Sequence, residues 1–260
     1  MSHVLRAVAA VAVVMTATCL CPVPTAAQAR VVERGPAAAD FAYEQIVRSR
    51  TTGRDYRVRV WAPIDPEARA SAETPALFVL DGQSDLGLTA ALARQREASG
   101  SGPGRWIVTV SPAADQTLQP FMRTPGWDGD DYAGFADFLI DELLPTLTTR
   151  HDFYYACLLG EGFAGRAALE VLASDPEAFG VVLVKDPAIT PERVLELAAA
   201  IPPHAQESYA PKLVIAWTSA PHRVNTPLMP LPQSMVAGGR RAEWHINLPR
   251  VDLIEMGLRQ

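Results

Sequence analysis

The sequence predicts an α/β fold with a mostly parallel sheet, an N-terminal antiparallel hairpin and helices on both faces of the sheet. Three observations predict it. Two segments of alternating apolar and polar residues flank the turn "RTTGR" near the start of the chain. Continuous apolar runs then alternate with segments of helical periodicity over the rest of the chain. Several of these runs end in turn residues, such as Asp81-Gly82, as buried parallel strands do.

The individual elements follow from these patterns in chain order. The predicted strands are 41–49, 55–63, 75–82, 105–112, 153–160, 180–187, 210–219 and 241–249. The predicted helices are 86–98, 131–150, 163–176 and 190–201. Pro145 predicts a bend or break near the end of the second helix. We expect a loose start at 30–39 and a loop in the proline-rich segment 220–234.

The first 29 residues have the pattern of a secretory signal peptide. Arg6 is the only arginine, lysine or acidic residue before Arg30, residues 7–21 are apolar or small, and a small-residue cleavage site ends at Ala29. About 15 apolar residues are few for a bilayer-spanning helix, which needs about 20. We therefore expect export to the periplasm or outside, with no stable membrane anchor, and a single α/β domain over 30–260.

Charge and cysteine content narrow the function classes. A formal net charge of −6 offers no basic surface for nucleic acid or anionic lipid. Cys157 is the only cysteine after the predicted cleavage site, so an intrachain disulfide is excluded in the mature chain. Its place in the apolar run "FYYACLLG" predicts a buried, unreactive thiol. No Cys or His spacing indicates a metal site, and we expect no cofactor.

The stretch "LLGEGFAG" (158–165) lies between a predicted strand and a predicted helix, and it permits two interpretations. Its glycines fit the dinucleotide-binding spacing G-x-G-x-x-G. Asp186 ends the next predicted strand, where the dinucleotide-binding motif also has an acidic residue. That motif normally follows the first strand of its unit, whereas this stretch follows about the fifth. The second interpretation is a nucleophile elbow, G-x-S-x-G, in which Gly162 occupies the place of the serine.

A family resemblance favours the elbow. Five stretches carry it, in this order and spacing between about Phe41 and Pro249: "GRDYRVRVWAP", "PALFVLDGQSDLGL", "FADFLIDELLPTL", "LLGEGFAGRAALEVLASDPEAFG" and "RRAEWHINLP". They resemble the esterase family of α/β-hydrolases, which includes esterase D-like enzymes and periplasmic siderophore esterases. The resemblance implies an α/β-hydrolase-type fold and, in the relatives, ester hydrolysis by a serine, a histidine and an acid.

The three catalytic positions implied by the resemblance look empty in this chain. The serine position falls on Gly162, which has no hydroxyl. The acid position follows "IAWTS", where Ser219 stands and no carboxylate occurs before Asp252. The histidine position follows the last strand, yet no histidine occurs after His245. Three losses together predict a catalytically degenerate protein, because the parts of such a triad work as a unit.

The resemblance also implies an oxyanion hole that needs no particular side chain. Its donors would be the backbone N–H groups of Phe163 and of a residue near Gln83, and such donors can bind a carbonyl or carboxylate without a nucleophile. We expect Glu161 and Asp186 to line the same ligand cleft. The chain would then bind a small ester or carboxylate ligand, or a protein partner.

The alternative is an active carboxylic-ester hydrolase with a displaced nucleophile. Ser84 and Ser219 follow predicted strands and are the weak candidates for that nucleophile. His222 is the histidine placed to serve as base. Each also has a plainer interpretation, since Ser84 fits a cap of the helix 86–98 and His222 fits a surface loop.

Overall fold

A nine-stranded sheet forms the centre of the protein. The computed structural model describes residues 30–34, 43–80, 86–102, 104–113, 129–151, 153, 155–202, 212–217, 228, 230–246, 252 and 254–256. The strands are β1 Arg30–Arg34, β2 Tyr43–Arg48, β3 Asp55–Trp61, β4 Ala76–Leu80, β5 Trp106–Pro112, β6 Ala156–Glu161, β7 Val181–Lys185, β8 Lys212–Trp217 and β9 Arg241–Ile246. The helices are α1 Pro66–Ala70, α2 Leu86–Ala98, α3 Gly129–Asp137, a π-helix Phe138–Leu143, α4 Leu144–His151, α5 Phe163–Ser174, α6 Pro191–Ala200 and α7 Pro230–Ala237.

The sheet is antiparallel at its N-terminal side and parallel elsewhere, so the predicted α/β fold class is confirmed. The strand order is β1-β2-β3-β5-β4-β6-β7-β8-β9. The pairs β1–β2, β2–β3 and β3–β5 are antiparallel. The pairs formed by the remaining strands are parallel. Parallel strands end at one common edge of a sheet, and ligand sites of open α/β sheets lie beyond that edge.

Apolar side chains cover both faces of the sheet because successive residues of a strand point to opposite faces. In β6, Ala156 and Leu158 belong to the larger core, into which α3, the π-helix, α5, α6 and α7 also pack. Cys157 and Leu159 belong to the smaller core on the other face, against which α2 packs through Leu92 and Ala93. None of the helices in these described ranges has the length and hydrophobicity needed to cross a bilayer.

Parts of two segments that were expected to be irregular form regular structure. The N-terminal segment was predicted to be loose, but β1 pairs with β2, with an irregular register between Val31 and Glu33. The proline-rich segment was predicted to be a loop, but α7 begins within it at Pro230. Proline in the first turn of a helix removes an N–H group that has no partner inside the helix, so Pro230 and Pro232 do not prevent α7 from starting.

Pro145 changes the type of helix instead of ending it. The segments α3, π-helix and α4 follow one another without interruption from Gly129 to His151. A proline cannot donate the hydrogen bond to the fourth residue before it, and its ring crowds that carbonyl group. The wider π-turns of Phe138–Leu143 come immediately before this position, which is the kind of local irregularity that interrupts regular α-helical bonding.

Glu142 joins the π-helix to the turn between β2 and β3. Its side chain is 1% exposed, and its Oε1 accepts hydrogen bonds from the hydroxyl groups of Ser49 and Thr51 and from the Thr51 amide. The Arg50 amide donates to its Oε2 at 3.0 Å. Burial alone would raise the pKa of Glu142, but these hydrogen bonds outweigh burial and hold the pKa below its usual value. The carboxylate therefore stays ionised and fixes the hairpin on the helical layer.

Candidate functional site

The turn between β6 and α5 has the shape of a nucleophile elbow. Gly162 stands alone between the last residue of the strand and the first residue of the helix, with φ 59° and ψ −121°. Its amide donates to the Lys185 carbonyl oxygen at 2.9 Å, and its own carbonyl oxygen accepts from Arg166 at 3.1 Å. A Cβ atom at this position would have no atom within 4 Å, so there is room for a side chain. This positive-φ backbone is the strained conformation in which α/β-hydrolases hold the serine of a nucleophile elbow.

The two neighbouring glycines of the motif serve close packing. A Cβ atom on Gly160 would overlap the carbonyl oxygen of Ala164 in the first turn of α5. A Cβ atom on Gly165 would lie 3.2 Å from the Lys185 carbonyl oxygen and 3.3 Å from that of Gly160. These glycines let the helix start directly against β6 and β7. The motif thus encodes a tight strand–turn–helix junction that does not depend on Gly162 being a serine.

The loop after β7 is hydrogen-bonded to the elbow. The Ala188 amide donates to the Gly162 carbonyl oxygen at 2.9 Å. Within this loop Asp186 has φ 43°, and it is the only described residue other than glycine with a positive φ. Its amide donates to the Ala216 carbonyl oxygen at 3.0 Å. Non-glycine residues in this conformation are uncommon, and aspartate is among those that tolerate it. The strained Asp186 therefore lies where the ends of β6, β7 and β8 meet.

A lysine that the sequence analysis missed lies beside Glu161. Lys185 Nζ donates to Glu161 Oε1 at 3.1 Å, and the register of β6 and β7 places the two residues opposite each other. Lys185 is 7% exposed although it carries an ammonium group, and a buried charge of this kind needs a partner. The signal in the sequence was a lysine that closes an apolar run, "VVLVK", immediately before Asp186. Glu161 therefore has a structural role, whether or not it also contacts a ligand.

His245 lies inside β9, as the sequence predicted, and it is remote from the elbow. The strand registers align Glu161, Lys185, Ala216 and His245 across four neighbouring strands. Three spacings of about 4.8 Å place His245 roughly 14 Å from Glu161 along this row. Its Nε2 lies 3.8 Å from Glu243 Oε2. A general base must come within hydrogen-bond reach of the proton that it removes, so His245 is not positioned to activate a group at residue 162.

A second histidine, His151, lies at the opposite end of the sheet. It closes α4, its Nε2 is 2.7 Å from the Tyr43 hydroxyl oxygen, and its ring is 4.2 Å from the Trp106 ring. Burial, together with the positive charge of Arg150, lowers the pKa of His151 to about 4. This histidine is therefore neutral at pH 7 and packs at the amino ends of the strands, away from the elbow.

The structure brings together four of the predicted cleft positions. Glu161, Gly162 and Phe163 are consecutive through the elbow, and Asp186 follows β7 beside it. The predicted residues Gln83, Ser84, Ser219 and His222 lie outside the described residues, so their roles stay predictions. Cys157 is buried, as expected, and burial raises the pKa of its thiol to about 12. A thiol with this pKa is protonated at pH 7 and is a poor nucleophile.

The comparison with protein families decides between the two interpretations of the glycine motif. The model of the family described as "Putative esterase" matches residues 49–245, which is well over half of the chain. The chain belongs to this esterase family. The match includes β6, the elbow and α5, so the elbow interpretation is favoured over dinucleotide binding. No curated protein sequence matches this esterase-family chain.

Solved structures with the same fold are found among ester hydrolases. The siderophore hydrolase EstA from Aspergillus nidulans has a TM-score of 0.61 and 17% identity, over 85% of this chain and 94% of that chain. An IroE-like serine hydrolase from Shewanella oneidensis has a TM-score of 0.62 and 16% identity, over 87% and 79% of the two chains. A ferulic acid esterase has a TM-score of 0.57 and 13% identity, over 89% and 96%. At these identities the likeness extends to the fold of the esterase-family chain.

Proposed function

We propose that this esterase-family protein is an exported, catalytically degenerate member that binds a small carboxylate or ester ligand, or a protein partner presenting such a group, in the cleft above the elbow. One observation carries the proposal: Gly162 has the dihedral angles of a nucleophile position and open space in front of it, but no side chain. The geometry for presenting a reacting group is retained while the reacting group itself is missing.

The chemistry that remains at the elbow is electrostatic. The first N–H groups of a helix have no acceptor within the helix, and the helix dipole adds partial positive charge at the same end. In α5 this end begins at Phe163, directly after the elbow. Such a helix end favours a carboxylate or a polarised carbonyl oxygen. Without a hydroxyl at Gly162 and with His245 remote, binding is the function that these groups support.

The names of the structural neighbours suggest which ligands to test first. They include a siderophore hydrolase and a ferulic acid esterase. A protein that keeps the cleft but not the nucleophile would retain the acid product or the intact ester of such a reaction. We therefore propose an aryl carboxylate or its ester as the ligand class, encountered outside the cytoplasm after removal of residues 1–29.

The proposal is tested with ferulate and methyl ferulate on a matched pair of variants. Phe163→Pro deletes the backbone N–H at the first helical position, where proline is tolerated. Phe163→Ala removes the same ring but keeps the N–H. Isothermal titration should show ferulate bound by wild type and by Phe163→Ala, and bound about 10-fold or more weakly by Phe163→Pro, because a hydrogen bond to a charged group is lost.

The outcomes of this experiment separate binding from catalysis. Equal ferulate affinity in the two Phe163 variants would contradict the role of the elbow N–H. Release of ferulate from methyl ferulate would instead support the active hydrolase with Ser84 or Ser219 as a displaced nucleophile and His222 as base. Chromatography of the reaction mixture distinguishes that release from simple binding.

A further inference from the structure

Arg105 is a buried guanidinium group at the end of the sheet opposite the elbow. It precedes β5, whose first residue Trp106 pairs with Ala76 of β4. Arg105 is 6% exposed, and its Nε and Nη1 atoms are buried with no hydrogen-bond partner in the described structure. Charged groups that are buried in proteins are normally paired and hydrogen-bonded, because an isolated buried charge is costly.

The groups around Arg105 do not neutralise it. Cys157 and Tyr155 lie beside it on β6 and on the residue before that strand, and Cys157 is protonated at pH 7 because burial raises its pKa to about 12. Arg96, near the end of α2, adds a second positive charge. Burial, reinforced by the positive charge of Arg96, lowers the pKa of Arg105 below its usual value. The Nε and Nη1 atoms of Arg105 therefore have no acidic hydrogen-bond partner among the described residues, and the positive charge of Arg96 acts on the same guanidinium group.

The acidic residue next to Arg96 in the sequence is used elsewhere. Glu97 Oε2 accepts from the Ile64 amide at 2.9 Å, and its Oε1 accepts from the Asp65 amide at 2.6 Å. Arg96 itself is half-buried, and its Nη2 donates to the Ser101 carbonyl oxygen at 2.9 Å. Both carboxylate oxygens of Glu97 thus accept from backbone amides, and Arg96 donates to a carbonyl oxygen.

We infer that Arg105 and Arg96 bind a small anion at the amino end of the sheet, at a site distinct from the elbow cleft. The four steps along β6 from Cys157 to Glu161 separate the two sites by about 13 Å. An anion there would accept from donors that otherwise have no partner and would offset the repulsion between the two arginines. Inorganic phosphate, chloride and a small carboxylate share this chemistry.

The test compares thermal unfolding of wild type and Arg105→Met in low-salt HEPES buffer. Sodium phosphate, sodium chloride and sodium acetate are added in separate arms at equal ionic strength. We expect at least one of these anions to raise the wild-type Tm saturably by about 3 °C or more relative to Arg105→Met. Without added anion, Arg105→Met should be at least as stable as wild type, because it removes a buried charge that has no partner.

A matched control comes from a buried arginine that does have partners. Arg240 is 4% exposed, and its Nη2 contacts Glu177 Oε1 at 2.6 Å. Arg240→Met should lower the Tm in every buffer and leave the anion-dependent rise unchanged. The inference would be overturned if the added anions raised the Tm of wild type and of Arg105→Met equally in all three arms. It would also be overturned if Arg105→Met lost as much stability as Arg240→Met in buffer without added anion.

Discussion

The amide nitrogen of Ala188 lies 2.9 Å from the carbonyl oxygen of Gly162, so the loop after β7 is hydrogen-bonded to the turn after β6. The amide of Gly162 in turn donates to the Lys185 carbonyl oxygen. These two bonds hold Gly162 from both sides in its left-handed conformation. The elbow is thus maintained by backbone contacts from the neighbouring strand and its loop, and these contacts do not depend on a side chain at position 162.

Replacing Gly162 by serine should leave the protein without esterase activity. The hydroxyl would have room, but no histidine among the described residues is positioned to remove its proton. We also expect a stability loss of about 1–2 kcal/mol, because a residue with a Cβ atom is strained at φ 59°. Release of p-nitrophenol from p-nitrophenyl acetate measures the activity, with Gly162→Ala as the control for strain. Turnover by Gly162→Ser well above that of Gly162→Ala would show that a base is available after all.

Replacing Gly160 by alanine should be more damaging than replacing Gly162 by alanine. The new methyl group would collide with backbone at Ala164, whereas at Gly162 it meets open space. We expect Gly160→Ala to lower the free energy of unfolding by about 3 kcal/mol. Urea denaturation followed by circular dichroism compares the two variants directly. Equal decreases in the free energy of unfolding of the two variants would mean that α5 can move away from β6 without destabilising the protein.

Replacing Glu142 by glutamine should destabilise the protein by about 2–3 kcal/mol at pH 7, because several hydrogen bonds to a buried charge are weakened. Its pKa is lowered in the folded state. This stability is therefore present above the unfolded-state pKa, about 4.5, and is lost as the pH falls below it. Glu196→Gln, at an exposed ion pair with Arg193, is the control and should cost less than about 1 kcal/mol. Equal stability of the two variants in denaturation at pH 7 would contradict the role of Glu142 in holding the turn between β2 and β3 against the π-helix.

His151 should make the protein less stable as the pH falls from about 6.5 to about 4. Its pKa is lowered to about 4 in the folded state, so the unfolded chain takes up a proton first on acidification. In His151→Gln the free energy of unfolding should fall less steeply over this interval, even though the variant loses the ring contacts at Trp106. Denaturation midpoints between pH 4 and 7 give the two slopes. Identical slopes for the variant and wild type would show that His151 does not stay neutral in the folded protein.

The parallel part of the fold could be predicted because each buried strand is an apolar run bounded by turn residues. The two misassigned segments show the limit of such patterns. The strand β1 depends on pairing with β2, and α7 depends on packing of Leu231 and Met235 into the core, and neither contact is visible in local composition.

The glycines in the sequence predicted the elbow, but they did not predict its backbone conformation or the space around it. Gly162 could be placed at the nucleophile position from the sequence, whereas its dihedral angles and the free space before it come from the packing of β6, β7 and α5. The ion pair between Lys185 and Glu161 was missed for a similar reason. It depends on the register of two strands whose residues are 24 positions apart in the sequence.

The most direct test of the central claim is hydrolysis of p-nitrophenyl acetate by purified protein comprising residues 30–260, measured beside a Ser84→Ala, Ser219→Ala double variant. We expect that neither protein releases p-nitrophenol faster than buffer alone, because the elbow presents Gly162 and no nucleophile. Clear turnover by wild type that the double variant loses would contradict it and identify an esterase with a relocated serine.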